Sequence, residues 1–140
     1  WEHVLPQFVD RMLDGIAKTA AGPVRFEVQG DGNHTRAFVH IDDFVAGVMC
    51  ILAKGEHLNV YHIGNPEEIS IREVALEVAK FFGREINIVP GPEAAGGTLR
   101  RCPDISKLRA LAYEPKISFR SGLVSLVEWY RDNRKLRPNK

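Results

Sequence analysis

Apolar residues in this chain keep switching between two spacings, and the switch recurs along its whole length. A side-chain period near 3.6 builds a helix with one buried stripe. A period of 2 builds a strand with one buried face. A segment written in one period cannot bury its apolar residues in the other geometry. Val4, Leu5, Phe8, Val9, Met12, Leu13 and Ile16 follow the helical period. Pro6 suits the first turn, where a missing N–H costs nothing, and Ala20-Ala21-Gly22-Pro23 ends the segment. Val24-Arg25-Phe26-Glu27-Val28 then alternates apolar and polar, which predicts a half-buried strand. Helix-type and strand-type segments continue to follow one another, so the chain is expected in the α/β to α+β class.

Gly30-Asp31-Gly32-Asn33 predicts a turn, because glycine takes positive φ freely and Asp and Asn side chains bond to the nearby backbone. With extended residues 36–41 after it, it reads as a hairpin turn. Asp42 is placed to cap a helix over residues 44–53, which Gly55 closes. Asn59-Val60-Tyr61-His62-Ile63 has almost no polar face and reads as a strand buried on both sides. Ser70-Ile71-Arg72-Glu73 has the spacing of a capping box, and Val74, Val78, Phe81 and Phe82 carry a helix to Gly83. Residues 85–89 alternate as a strand, residues 90–97 form a loop rich in Gly, Pro and Ala, and Asp104 opens a short helix through Leu111. Ser118 caps a last helix with Leu123, Leu126, Val127 and Tyr130 on one face, and the basic tail 134–140 is expected to fray.

Several functional classes are excluded at this level. A net charge of +1 over 140 residues gives no basic field for nucleic acid. The longest apolar runs, such as 44–53, are too short to span a bilayer, and Trp1-Glu2-His3 does not begin a signal peptide, so no membrane partner is expected. Two scattered cysteines, Cys50 and Cys102, make no disulfide framework; a bridge between them stays open, and both read as thiols of a cytoplasmic protein. His3, His34, His40, His57 and His62 lack ligand spacing, so no metal is expected. Gly30-Asp31-Gly32 has no third glycine and leads into an extended segment, which does not suit a dinucleotide phosphate cradle. No P-loop and no nucleophile elbow is present, and no residue is assigned as catalytic.

What remains is a set of arginines beside glycine-rich loops. Arg36 follows the Gly-Asp-Gly turn, and Arg100 and Arg101 follow Gly96-Gly97. Guanidinium groups bind phosphate oxygens bidentately, and two from separate loops could clamp a diphosphate. Solvated surface arginines near turns fit the same pattern.

Four blocks in register resemble the C-terminal half of the extended short-chain dehydrogenase/reductase family, which includes NAD-dependent nucleotide-sugar epimerases, 4,6-dehydratases and decarboxylases. Gly30-Asp31-Gly32-Asn33-His34-Thr35-Arg36-Ala37-Phe38-Val39-His40-Ile41-Asp42-Asp43 resembles that family's Gly-x-Gly-x-x-x-Arg-x-Phe block. Val60-Tyr61-His62-Ile63-Gly64-Asn65, with Ile69-Ser70-Ile71-Arg72-Glu73 after it, is similar to its Tyr-Asn-Ile-Gly strand and following helix. Arg100-Arg101-Cys102-Pro103-Asp104-Ile105-Ser106-Lys107 with Tyr113-Glu114-Pro115 is similar to its Arg-x-x-Asp-x-Ser-Lys-Ala and Gly-Trp-x-Pro pattern, and Gly122-Leu123 with Glu128-Trp129-Tyr130 completes the likeness. The sequence departs from the pattern at His62, at Gln29, which is usually aromatic, and at Ala94-Ala95-Gly96-Gly97, where many relatives carry Arg-Pro-Gly-Asp.

The resemblance implies a substrate-binding lobe with a few Rossmann-edge elements and no Rossmann core. Residues 1–140 would then be one part of a longer enzyme whose N-terminal domain binds NAD and carries the catalytic Tyr-x-x-x-Lys pair, neither of which is in this sequence. It implies a nucleotide-diphosphate sugar as partner, Arg36 on the diphosphate with help from Arg100 or Arg101, Val4, Leu5 and Phe8 lining the nucleotide pocket, and Gln29 near the ribose. Family members often form homodimers through helices of the other half. A non-catalytic nucleotide-binding or regulatory module derived from the family is the competing reading. The resemblance also implies that residues 59–63 join the Rossmann sheet, so the isolated chain is expected to be marginally stable or oligomeric.

Overall fold

A computed structural model describes residues 1–93 and 96–137. Ala94-Ala95, within the departing loop, and residues 138–140 of the tail lie outside the described residues. In chain order the elements are α1 (Val4–Lys18), β1 (Val24–Gln29), β2 (Thr35–Ala37), α2 (Ile41–Lys54), β3 (Glu68–Ser70), α3 (Ile71–Phe81), β4 (Ile86–Gly91), β5 (Arg100–Arg101), α4 (Ser106–Arg109), α5 (Phe119–Asp132) and a 3-10 turn (Arg134–Leu136). They divide into two units. The first comprises Trp1–His34, Ser70–Gly97 and Leu123–Lys140, and the second Thr35–Ile69 and Thr98–Gly122.

In the first unit β1 and β4 pair in parallel, with Val24 opposite Ile86 and Gln29 opposite Gly91. The alternation read from the sequence is realised: Val24, Phe26 and Val28 are buried, while Arg25 and Gln29 are exposed. Helices α1 and α3 pack on β1. Phe8 meets Phe26 edge to face, with ring centroids 5.0 Å apart, and Val74, Ala75, Val78 and Ala79 bury the inner side of α3. The capping box is present, with the Ser70 hydroxyl accepting from the Glu73 N–H at 3.1 Å and the Glu73 carboxylate accepting from the Ser70 N–H at 2.9 Å.

The Gly-Asp-Gly turn is not a hairpin. β1 takes β4 as its partner, and β2 lies in a different sheet between β3 and β5. Turn residues specify a local reversal of the backbone, but they do not specify which strand fills the ladder. Here the parallel partner of β1 arrives through a long crossover. Gly32 sits at φ +81°, and a Cβ there would lie 3.2 Å from both the Arg72 Cβ and Val28. Its carbonyl accepts from the Arg72 N–H at 2.9 Å, and the His34 carbonyl accepts from the Ile71 N–H at 2.9 Å. The turn therefore seats the start of α3. The tail is ordered as far as residue 137: Arg134 and Arg137 reach the buried Asp10 at 3.0 and 2.8 Å, and Arg134 also pairs with Asp14. Two cations on one buried carboxylate replace the fraying expected from composition.

In the second unit β2 and β5 pair in parallel, with Thr35 opposite Arg100 and Arg36 opposite Arg101. Helix α2 starts earlier than expected. Its cap is His40, whose side chain accepts from the Asp42 N–H at 3.3 Å, and Asp42 itself lies in the first turn. An imidazole nitrogen can serve the free first-turn amide as a carboxylate would, and Asp42 then complements the helix dipole. Asp43 is buried. Its two oxygens accept from the Lys116 N–H at 3.0 Å and the Ile117 N–H at 2.9 Å, which ties α2 to the segment leading into α5. Ser118 caps α5 as read from the sequence, its hydroxyl accepting from the Ser121 N–H at 3.2 Å.

The core of this unit is Ile105, Leu108 and Tyr113, with Cys50, Ile51, Tyr61, Ile63 and Leu111 packed against it. The Tyr113 hydroxyl donates to the Gly64 carbonyl at 3.1 Å. Gly47 allows residue 63 to approach α2, since a Cβ there would lie 2.6 Å from Ile63. Residues 59–63 are not the doubly buried strand that their apolar content suggests: they belong to no ladder, Tyr61 and Ile63 turn inward, and Val60 and His62 are exposed. Apolar composition marks both faces for burial, but only one face meets a core within this unit.

Replacing the buried Asp43 by Ala leaves the part-buried Lys116 and Ile117 amides without their acceptor. Urea denaturation of Asp43→Ala is expected to show a loss of about 2–3 kcal/mol, with Asp43→Asn losing less because one amide keeps an oxygen.

Candidate functional site

The β2–β5 ladder decides how the three arginines are used. Residues directly opposite each other in a parallel pair project from the same face, and successive residues project from opposite faces. Arg36 and Arg101 are opposite partners, so their side chains share one face of this sheet. Thr35 and Arg100 are the preceding partners and share the other.

On the Thr35–Arg100 face the acceptor is Glu68 of β3. The Thr35 hydroxyl donates to Glu68 Oε2 at 2.9 Å. Arg100 donates from Nε at 3.0 and 3.1 Å and from Nη2 at 2.6 Å, a forked pair. The Arg100 hydrogen bonds, and then that from Thr35, hold the Glu68 carboxyl below its ordinary range. Glu68 in turn holds the Arg100 guanidinium above its own. The charge of Arg100 is thus already matched.

Arg36 and Arg101 differ from Arg100 in this respect. Arg36 Nη1 donates to the Thr35 carbonyl at 2.7 Å and lies 3.5 Å from the Leu99 carbonyl. Arg101 Nη2 donates to the Thr98 hydroxyl at 3.4 Å. Among the described residues, neither guanidinium is paired with a carboxylate. Neutral acceptors orient these groups and leave their charge and most of their donors open, which is what an anion requires. Of the two candidates beside Arg36, the register and the pairing favour Arg101. Glu68 and Thr35 were missed by sequence reasoning. Glu68 lies 32 residues from Arg100 in the chain, and no local spacing signals the pair.

The other candidates lie in the first unit. Val4 and Leu5 are half-buried at the start of α1, Phe8 is buried against Phe26, and Gln29 is exposed at the end of β1. That unit also holds an open cleft of about 900 Å³ whose lining includes Asp10, Arg11, Asp14, Lys18, Arg25 and Arg137. Asp10 and Asp14 are already paired with Arg134 and Arg137. Arg11 donates to the Glu27 carbonyl and sits 5.5 Å from the Phe8 and Phe26 ring centroids. Burial lowers its pKa, opposed by the charge of Glu27. The lining of the cleft does not include Val4, Leu5, Phe8 or Gln29.

Cys50 and Cys102 are free thiols. Among the described residues no three His, Cys, Asp or Glu side chains group to hold a metal ion, and no helix is long and apolar enough to cross a membrane. The turn at 30–33 does not fit a dinucleotide either. The first amides of α3 are taken by the Gly32 and His34 carbonyls and by the Ser70 hydroxyl, so the helix start offers phosphate no free donor from these residues.

Residues 2–64 match the NAD dependent epimerase/dehydratase family. Over 135 residues the chain is 33% identical to a dTDP-glucose 4,6-dehydratase of Streptomyces niveus, covering 95% of this chain and 38% of that protein. A crystal structure of dTDP-glucose 4,6-dehydratase from Streptomyces venezuelae with NAD bound is 34% identical, with a TM-score of 0.77 over 96% of this chain and 40% of that one. UDP-glucose 4-epimerase from Thermotoga maritima, solved with UDP-glucose, is 26% identical, with a TM-score of 0.79 over 94% of this chain and 40% of that one. These likenesses support the extended short-chain dehydrogenase/reductase family and a mixed α/β fold of that kind. The chain spans about 40% of the length of these relatives.

The lowered pKa of Glu68 has a defined sign. Its stabilising contribution is present above the ordinary carboxylate range and is lost as pH falls through the lowered value. Denaturation midpoints measured from about pH 6 down to about pH 2 are expected to fall less steeply in Glu68→Gln than in the parent chain. The difference should be small, because the pair is solvent-exposed.

Proposed function

We propose that this chain is the substrate-binding part of an NAD-dependent enzyme that remodels nucleotide-diphosphate sugars, and that Arg36 and Arg101 together grip the diphosphate. The single observation that carries the reading is the open charge of these two guanidinium groups on one face of the β2–β5 ladder, beside an Arg100 already matched by Glu68. A diphosphate supplies the paired anionic oxygens that two guanidinium forks take up. The relatives support the class of ligand: one is a dTDP-glucose 4,6-dehydratase and another was solved with UDP-glucose.

The other residues that the resemblance implies, Val4, Leu5, Phe8 and Gln29, belong to the first unit, where the buried Phe8 holds α1 against β1. Arg100 acts on the site indirectly, by pinning β5 to β3 through Glu68. The turn at 30–33 and the start of α3 do not suit a dinucleotide, and in this reading NAD and the proton-transferring side chains lie outside residues 1–140. NAD would supply hydride chemistry there; this chain binds and orients. Gripping the non-reacting diphosphate converts its binding energy into placement of the sugar.

The test is steady-state kinetics on the full-length polypeptide that carries residues 1–140. Arg36→Ala and Arg101→Ala are each expected to raise KM for the nucleotide sugar tenfold or more, as loss of a charge-assisted contact worth about 1.5–3 kcal/mol requires, with kcat changed much less. Arg100→Ala is expected to change KM little. Unchanged KM in both Arg36→Ala and Arg101→Ala would remove the diphosphate clamp.

A further inference from the structure

The cleft of the first unit is walled by one face of α1. Arg11, Gly15 and Lys18 line it at i, i+4 and i+7, and Val24 and Arg25 of β1 line it too. Gly15 lets the helix lie close to the strand, because a Cβ there would run into the Val24 side chain. Arg11 and Lys18 stand two turns apart, about 10 Å along the helix axis. Their long stems can bring both charges to one ligand between them.

The charges in this cleft divide into a matched and an unmatched set. Asp10 and Asp14 are taken by Arg134 and Arg137. The part-buried Arg11 guanidinium has the Glu27 carbonyl and the Phe8 and Phe26 rings as neighbours, and among the described residues it pairs with no carboxylate. The exposed Lys18 ammonium has no acceptor among the described residues. Arg25 lies 3.4 Å from the Glu27 carboxylate, whose charge Arg11 also feels. Three cations thus face one acid. Glu2 also lines the cleft, nine residues before Arg11 and ahead of α1. Partial burial raises the value of an anion to Arg11, because water screens that charge less.

We propose that this cleft binds a small phosphate-bearing molecule, with the phosphate held by Arg11, Lys18 and Arg25. The surplus of two positive charges over Glu27 matches a phosphate dianion, whereas a single carboxylate would meet half of it. A guanidinium fork and an ammonium point charge are the donors that phosphate recognition uses. The volume of about 900 Å³ lies within the range of small-molecule sites, about 300–1,000 Å³. These residues belong to the first unit and Arg36 and Arg101 to the second, so the cleft and the proposed diphosphate clamp share no side chain.

The experiment is protection of Lys18 from acetylation, read by mass spectrometry on the full-length polypeptide that carries residues 1–140, with NAD saturating. The probes are inorganic pyrophosphate and glycerol 3-phosphate, with acetate at matched ionic strength as the control anion. Lys80, exposed on α3, is the control lysine. Saturating probe is expected to slow acetylation of Lys18 at least fivefold and leave Lys80 unchanged, with no protection by acetate. Arg25→Gln, a change at an exposed position, should raise the half-protecting concentration at least tenfold. Stronger protection by glycerol 3-phosphate would assign a phosphate ester, and stronger protection by pyrophosphate a free inorganic anion. Protection should persist when Arg36→Ala and Arg101→Ala are combined, which separates this site from the clamp. Absence of protection by both probes in the parent chain would overturn the proposal without any variant having to fold. Equal protection by acetate, or protection that vanishes with Arg36 and Arg101, would overturn it as well.

Discussion

The parallel pairing of β2 with β5 is short, yet the character of the site follows from it. Thr35 opposite Arg100 and Arg36 opposite Arg101 is the register. The pleat then sends the two successive arginines of β5 to opposite faces. One meets Glu68 and is neutralised there. The other joins Arg36 where only neutral acceptors lie nearby. A slip of one residue would exchange these roles and put Arg100, instead of Arg101, beside Arg36. Two interactions hold the register: the Thr35 N–H donates to the Leu99 carbonyl at 2.9 Å, and Glu68 is shared between Thr35 and Arg100. An exposed ion pair of little energetic weight thus has a large effect on which charge stays available.

The second unit is held by polar ties as well as by its apolar core. Asp43 accepts from two amides ahead of α5, the Asn65 side chain donates to the Ile117 carbonyl, and Glu67 accepts from the Phe119 N–H at 3.0 Å. All three gather on the approach to α5. The contrast with the outer side of α2 is plain: there the apolar residues have no counterpart within the unit. The helix is buried on one side and leaves an apolar stripe exposed on the other.

Much of this was legible from local pattern. The period of 3.6 located α1 and α3, the period of 2 located β1 and β4, and the Ser70–Glu73 and Ser118 caps were readable as spaced residue types. Local reading failed where the deciding partner is distant in sequence. Asp42 has the residue type of a cap, but His40 holds the position because the helix begins before it. The Gly-Asp-Gly turn resembles a hairpin, yet the ladder of β1 is filled by β4, about sixty residues on. Residues 59–63 carry strand composition, but composition does not supply the neighbouring strand. Of the site, the arginines stood out by their place beside glycine-rich loops, whereas Glu68 gave no local sign.

The sequence by itself determined the class of fold, most of the helical and strand segments, and the short list of arginines beside glycine-rich loops. These follow from the spacing of residue types, which acts over a turn of helix or a pair of strand residues. Only the tertiary structure decided which of Arg100 and Arg101 keeps its charge open and which apolar stripe stays uncovered. Both depend on contacts between residues tens of positions apart, and the energy of such contacts is set by register and burial, which no local spacing encodes.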